Sequence, residues 1–155
     1  MSRLVRVLGG TRAFAALMSR ALPVLDRWTN GRATRLFGYP FVWLTTTGQR
    51  SGEPRRVALL AGRDGGRWIL AGSNWGKPRP PAWALNLDAN PQALVDGRPA
   101  RARRATAEEA ARLWPLLERF WPAYRVYRAR AGREVALYVL EPSAESGTGS
   151  KASSP

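Results

Sequence analysis

Apolar residues fall at helical spacing over the first thirty positions and at alternating or continuous β spacing over the next hundred. From Thr11, the residues Phe14, Leu17, Met18, Ala21, Leu25 and Trp28 share one helical face, while Arg12, Ser19, Arg20 and Arg27 occupy the other. That pattern predicts an amphipathic helix capped by Thr11 and bent or restarted at Pro23. After the breaker Asn30-Gly31 the reading turns to strands. Phe41 to Thr46, Arg56 to Ala61 and Arg67 to Ala71 are rich in β-branched and aromatic residues. The last two are joined through Arg63-Asp64-Gly65-Gly66, a hairpin turn by composition.

Pro81 to Leu87 reads as one or two helical turns, and short strands follow near Ala93 to Val95 and Ala100 to Ala105. Thr106-Ala107-Glu108-Glu109 places acidic residues at the positive end of a helix that runs to about Phe120. Pro122 interrupts it, a short helix covers Ala123 to Arg130, and a last strand covers Val135 to Leu140. Strands and helices do not alternate as in a doubly wound sheet. The expected fold is therefore α+β, mainly β: an antiparallel barrel or roll with covering helices. Three regions are expected: residues 1–30 as an amphipathic helix, 31–142 as the barrel domain, and 143–155 as a disordered Ser/Gly/Ala-rich tail.

Composition narrows the chemistry. With 155 residues the barrel can bury a core without cross-links. The absence of Cys and His removes thiolate nucleophiles, the common zinc sites and the Ser-His-Asp triad, so no metal site is expected. Hard chemistry then falls to a cofactor. A net charge of +14, from 25 basic and 11 acidic residues, points to a polyanionic partner, although the arginines also suit a GC-rich coding bias. No apolar run approaches transmembrane length, which predicts a cytoplasmic protein. The basic amphipathic helix suits either packing on its own domain or peripheral contact with an anionic membrane.

Four stretches carry candidate chemistry. Leu44 to Arg56 runs a strand into a turn where Thr47 and Ser51 offer hydroxyls, Gly48 and Gly52 free backbone amides, and Arg50 and Arg55 supply charge. This is phosphate-binding chemistry, and also ordinary hairpin composition. Ala71 to Pro81 is a long loop in which Ser73, Asn74 and the glycines could meet a planar heterocycle, with Lys77 and Arg79 near acidic groups; a proline-stiffened surface loop is the alternative. Trp83 and Asn86 share a helical face with Leu87, where core packing is the default. Tyr124 and Tyr127 set two phenols on one face, able to bind a substrate or deliver a proton, or simply to be half buried.

In their order and spacing these stretches resemble the deazaflavin-dependent nitroreductase family of the split β-barrel flavin and deazaflavin oxidoreductase superfamily. The likeness spans about residues 35 to 142, through Leu-Thr-Thr-Thr-Gly-Gln-Arg-Ser-Gly-Glu-Pro-Arg, Ala-Gly-Ser with Trp83 ten residues after Ser73, Trp-Ala-Leu-Asn-Leu-Asp-Ala-Asn-Pro, Trp-Pro-Ala-Tyr-Arg-Val-Tyr and the closing Leu-Glu-Pro.

The resemblance implies hydride transfer from reduced coenzyme F-420 to a small-molecule acceptor, a quinone, enone or nitro compound. It implies that Arg50, Ser51, Gly52 and Arg55 hold the cofactor phosphate and that Ser73, Asn74, Trp75 and Gly76 lie along the ring. Trp83 and Asn86 would close the pocket, Trp121, Tyr124 and Tyr127 would face the acceptor, and Tyr124 or Ser73 would supply the proton. The chain departs from the family at Asn74, often lysine, and at Trp121, often an aromatic hydroxyl. The competing expectations are a nonenzymatic deazaflavin- or FMN-binding protein and a basic nucleic-acid-binding barrel. The latter is disfavoured because the tryptophans sit at core positions rather than in a stacking ladder, so no nucleic-acid partner is expected.

Overall fold

A computed structural model describes residues 40–144. The amphipathic segment within 1–30, the stretch 31–39 and nearly all of the expected tail lie outside the described residues. Six antiparallel strands close a barrel in the order β1-β2-β3-β6-β5-β4, with β4 paired back to β1. They are β1 (Phe41–Thr47), β2 (Pro54–Asp64), β3 (Arg67–Ala71), β4 (Gln92–Val95), β5 (Arg98–Arg104) and β6 (Leu137–Pro142). Helix α1 (Ala82–Ala89) links β3 to β4, and α2 (Ala107–Phe120) and α3 (Ala123–Ala131) link β5 to β6. The mainly β split-barrel expectation holds.

Alternation explains the two cores. Val42, Leu44, Leu70, Val95, Ala100 and Leu140 fill the barrel, while Ile69, Leu137 and Val139, one step out of phase, meet Leu113, Trp114 and Leu117 of α2 and the tyrosines of α3. β3 and β6 are buried on both faces, so they read as continuous apolar runs instead of alternating ones.

Element edges shifted where pairing extends beyond propensity. β2 is longer than the expected 56–61 because it pairs along its length with β1, as far as Thr47↔Pro54, and then with β3, as far as Asp64↔Arg67. β5 begins two residues early because Asp96 and Gly97, with φ of 51° and 79°, form a two-residue hairpin turn of the type favoured by Asp-Gly. Helix α2 starts as read: the Thr106 hydroxyl accepts from the Glu109 amide, and the Glu109 carboxylate accepts from the Thr106 amide, a reciprocal capping box.

Candidate functional site

The turn between β1 and β2 closes tightly on itself. Gly48 N donates to Glu53 O and Gly52 N to Gly48 O, each at 2.8 Å, and Glu53 N donates to the Ser51 hydroxyl at 3.2 Å. The two glycine amides expected to face a ligand are therefore spent on the turn itself. A Cβ on Gly48 would lie 2.7 Å from Ser51 Oγ, and Gly52 has a φ of +71°, so both glycines serve the conformation of the turn. Gln49 N donates to Asn86 Oδ1. Only the amides of Arg50 and Ser51 remain, within 48–53, without a hydrogen bond among the described residues. Arg55 donates to Ser51 Oγ at 3.2 Å, setting its guanidinium beside those amides.

Asn86 anchors this turn. It is 6% exposed, its carbonyl accepts from Gln49 N at 3.0 Å, and its amide donates to the buried Thr46 hydroxyl at 3.0 Å. Both ends of the side chain are thus occupied in joining α1 to β1 and the turn. The sequence marked Asn86 as a wall of the pocket, but its bracing role depends on a contact 37 residues away in the chain that spacing cannot reveal.

Arg50, Ser51, Arg55 and Asn86 line a cavity of about 630 Å³, together with Gln49, Thr46 and Arg56. Arg56, stacked 4.2 Å over Trp43, was not among the expected site residues; the Pro-Arg-Arg run was the available signal. Neither Thr47 nor Gly52 lines the cavity.

A second cavity of about 300 Å³ adjoins the first and is lined by Ser73, Asn74, Trp75, Trp83, Trp121, Tyr124 and Tyr127. Its apolar lining of Phe41, Val57, Leu59 and Leu60 was not anticipated, because β1 and β2 read simply as strands. Val57, Asn74, Pro81 and Trp83 line both cavities, which makes them two ends of one groove. No carboxylate lines either end. Arg50, Arg55, Arg56 and Lys77 make no ion pair among the described residues. By contrast Arg67, Arg103, Arg104, Arg112, Arg125 and Arg128, away from the groove, all have carboxylate partners. Arg50, Arg55 and Arg56 therefore give one end of the groove a local excess of uncompensated positive charge, and Lys77 lines the other end.

The other end is mainly apolar and aromatic. Tyr124, 4% exposed, packs edge-on against Trp114, Phe120 and Tyr127 at ring separations of 5.9, 6.4 and 6.1 Å. Its hydroxyl makes no hydrogen bond among the described residues. Burial raises its pKa above the ordinary phenol value, and the neighbouring Tyr127 adds to the rise. Burial also pushes Tyr127 up to about 12, opposed by a hydrogen bond with Trp121 and by the charge of Arg130. Both phenols consequently stay neutral and able to donate. The Ser73 hydroxyl, 7% exposed, caps nothing and faces the same cavity. Gly76 lies outside the lining, wedged against α3, where a Cβ would meet Tyr127 Cα at 2.9 Å.

Among the described residues there is no group of acidic side chains suited to a metal ion and no helix long and apolar enough to cross a membrane.

Residues 18–142 match the family described as F420H(2)-dependent quinone reductase. An F420H(2)-dependent quinone reductase of Mycobacterium tuberculosis (strain ATCC 25618 / H37Rv) is 36% identical over 124 residues, covering 74% of this chain and 83% of the relative. A putative F420H(2)-dependent quinone reductase of the same strain is 29% identical over 107 residues, covering 66% of this chain and 90% of the relative. A solved F420-H2 dependent reductase superposes with a TM-score of 0.60 at 31% identity, covering 66% of this chain and 94% of that one.

Proposed function

The chain belongs to the F420H(2)-dependent quinone reductase family of oxidoreductases, and from that premise we propose that it reduces a quinone with hydride taken from reduced coenzyme F-420. The observation that carries this reading is the single groove with a basic, carboxylate-free end and a mainly apolar, aromatic end to which Ser73 and Tyr124 bring hydroxyls.

The residues suit such a cofactor. The amides of Arg50 and Ser51 and the guanidiniums of Arg50, Arg55 and Arg56 form a donor set for phosphate and for acidic groups beyond it. Asn74 and Trp83, at the junction of the two cavities, and Trp75 beside them would bear on the ring. When bound, the reduced deazaflavin supplies a hydride without metal or thiol.

The protein's own contribution is to position, to exclude water and to offer protons. Phe41, Val57, Leu59 and Leu60 give an acceptor ring an apolar bed, and Trp121 and Tyr127 flank it. Tyr124, neutral and unpaired in a low-dielectric pocket, would donate to the acceptor oxygen on which negative charge develops, a stabilisation worth more there than in water. The Ser73 hydroxyl lines the same cavity and can complete the proton path.

Fluorescence titration with coenzyme F-420, followed by its oxidation at a series of quinones, tests the reading. Micromolar binding with quinone-dependent oxidation is expected, and absence of binding would overturn it. Enones and nitroarenes belong in the same screen as further acceptors of this pocket. FMN also carries a phosphate, but nothing in the comparisons favours it, and it should fail to compete. The proposal extends to a peripheral membrane contact through residues 1–30, supported by their basic amphipathic sequence. Flotation with anionic liposomes, lost on deletion of 1–30, is the expected result; binding that survives the deletion would refute it.

A further inference from the structure

The loop joining β3 to α1 adopts a conformation that its own residues disfavour. Asn74 and Trp75 have φ of 45° and 57°, left-handed for side-chain-bearing residues, and such backbone persists only where its surroundings over-determine it. Three contacts do so. Asn74 Nδ2 donates to Arg79 O at 2.9 Å within the loop, Arg130 donates to Trp75 O, and an Arg133 nitrogen donates to both Gly72 O at 2.9 Å and Arg79 O at 3.3 Å. The last contact ties the two ends of the loop together.

Arg133 reaches them because Gly132, with φ of +63°, ends α3 in a left-handed turn. Its other terminal nitrogen donates to Glu134 O at 3.1 Å, while its buried Nε makes no hydrogen bond among the described residues. A guanidinium that tolerates an unsatisfied buried donor to place one nitrogen between two carbonyls is held by the loop's geometry, not by its own best solvation. The loop presents Ser73, Asn74 and Trp75 to the cavity, and α3 presents Tyr124 and Tyr127 to the same cavity.

We propose that Arg133 is a positioning residue, a clasp that fixes the loop 72–79 against the end of α3 and so sets the spacing between the cofactor side and the acceptor side of the groove. The inference rests on the reading of that groove given above. A displacement of about 1 Å at a reacting centre is enough to cost about a hundredfold in rate.

The test compares Arg133→Met, which keeps an unbranched stem without donors, with Arg133→Lys, which restores one donor nitrogen. Amide hydrogen exchange is measured without ligand, alongside kcat, KM and cofactor Kd with a quinone. In the Met variant the Gly76 and Lys77 amides, which bond to Ser73 O and Asn74 O, should exchange about tenfold faster while those of Leu44 and Val95 in the barrel do not change. Its kcat should fall by about tenfold or more with cofactor Kd shifted less than about threefold, and the Lys variant should recover part of both losses.

Unchanged loop exchange overturns the proposal, as does faster exchange throughout the barrel in both variants. A parallel loss of kcat and cofactor affinity also overturns it, since Arg133 would then serve the hold on the cofactor and not the spacing between cofactor and acceptor. A wild-type protein that neither binds nor oxidises reduced coenzyme F-420 would instead refute the reading of the groove, and the exchange comparison would still decide the clasp.

Discussion

Replacing Asn86 with Ala should loosen the basic end of the groove without touching a single arginine. The side chain makes two hydrogen bonds of 3.0 Å, one to the Thr46 hydroxyl, which is 2% exposed, and one from the Gln49 amide at the rim. Thr46 is buried, so its loss falls in the range of about 1–2 kcal/mol; the Gln49 amide can be rehydrated, which limits its loss to about 0.5–1 kcal/mol. The total, about 2 kcal/mol, corresponds to roughly 10 °C in melting temperature for a domain of this size. Cofactor affinity should fall about tenfold, because the amides of Arg50 and Ser51 must then be ordered at the moment of binding.

Asn86→Asp separates bracing from charge. A carboxylate still accepts from Gln49 N, and Thr46 can reverse its hydroxyl to donate to it, so thermal stability should largely return. Affinity for an anionic cofactor should not, since the new negative charge lies beside the phosphate donors. Differential scanning fluorimetry and cofactor titration give both readouts. An Asn86→Ala protein that melts and binds as the wild type would refute the bracing role, and an Asn86→Asp protein with full affinity would refute an anionic ligand at this end.

Three further outcomes follow from the same geometry. Arg50→Ala should weaken cofactor binding by about 1.5 kcal/mol, or about tenfold, the low end for a charge-assisted hydrogen bond because the residue is exposed; equal affinity in calorimetry would remove it from the phosphate site. Tyr124→Phe should lower kcat with little change in cofactor Kd, whereas matched losses would argue that the phenol binds and does not serve the transition state. Stability should also decline in strong alkali. Tyr127 and Tyr138 are each pushed by burial from 10.0 up to about 12, so above about pH 10 the unfolded chain loses phenolic protons that the folded chain retains, and unfolding becomes progressively favoured up to about pH 12. Melting temperatures that stay level across that window would contradict it.

The order and type of every strand and α-helix among the described residues were legible in the chain, because alternation, helical spacing, the acidic first turn at Glu108 and Glu109 and Gly-containing turns are local signals, whereas the short 3-10 turn Asn74–Gly76 reads as extended loop. So were the arginines of the β1–β2 turn and the α3 tyrosines as candidate site residues. What the chain could not display was set by closure of the barrel. β6 enters between β3 and β5, so residues 34 to 72 positions apart become neighbours. That closure gives the turn of Gly48 its brace in Asn86, and the strained loop at Trp75 its clasp in Arg133. It also joins the basic end to the phenol end at Val57, Asn74, Pro81 and Trp83. Propensity and patterning act over a few residues, whereas burial decides which distant side chains meet and which polar groups must be satisfied there. For that reason the glycine amides that composition offered to a ligand were consumed by the turn, and the groove itself became visible only once the chain was folded.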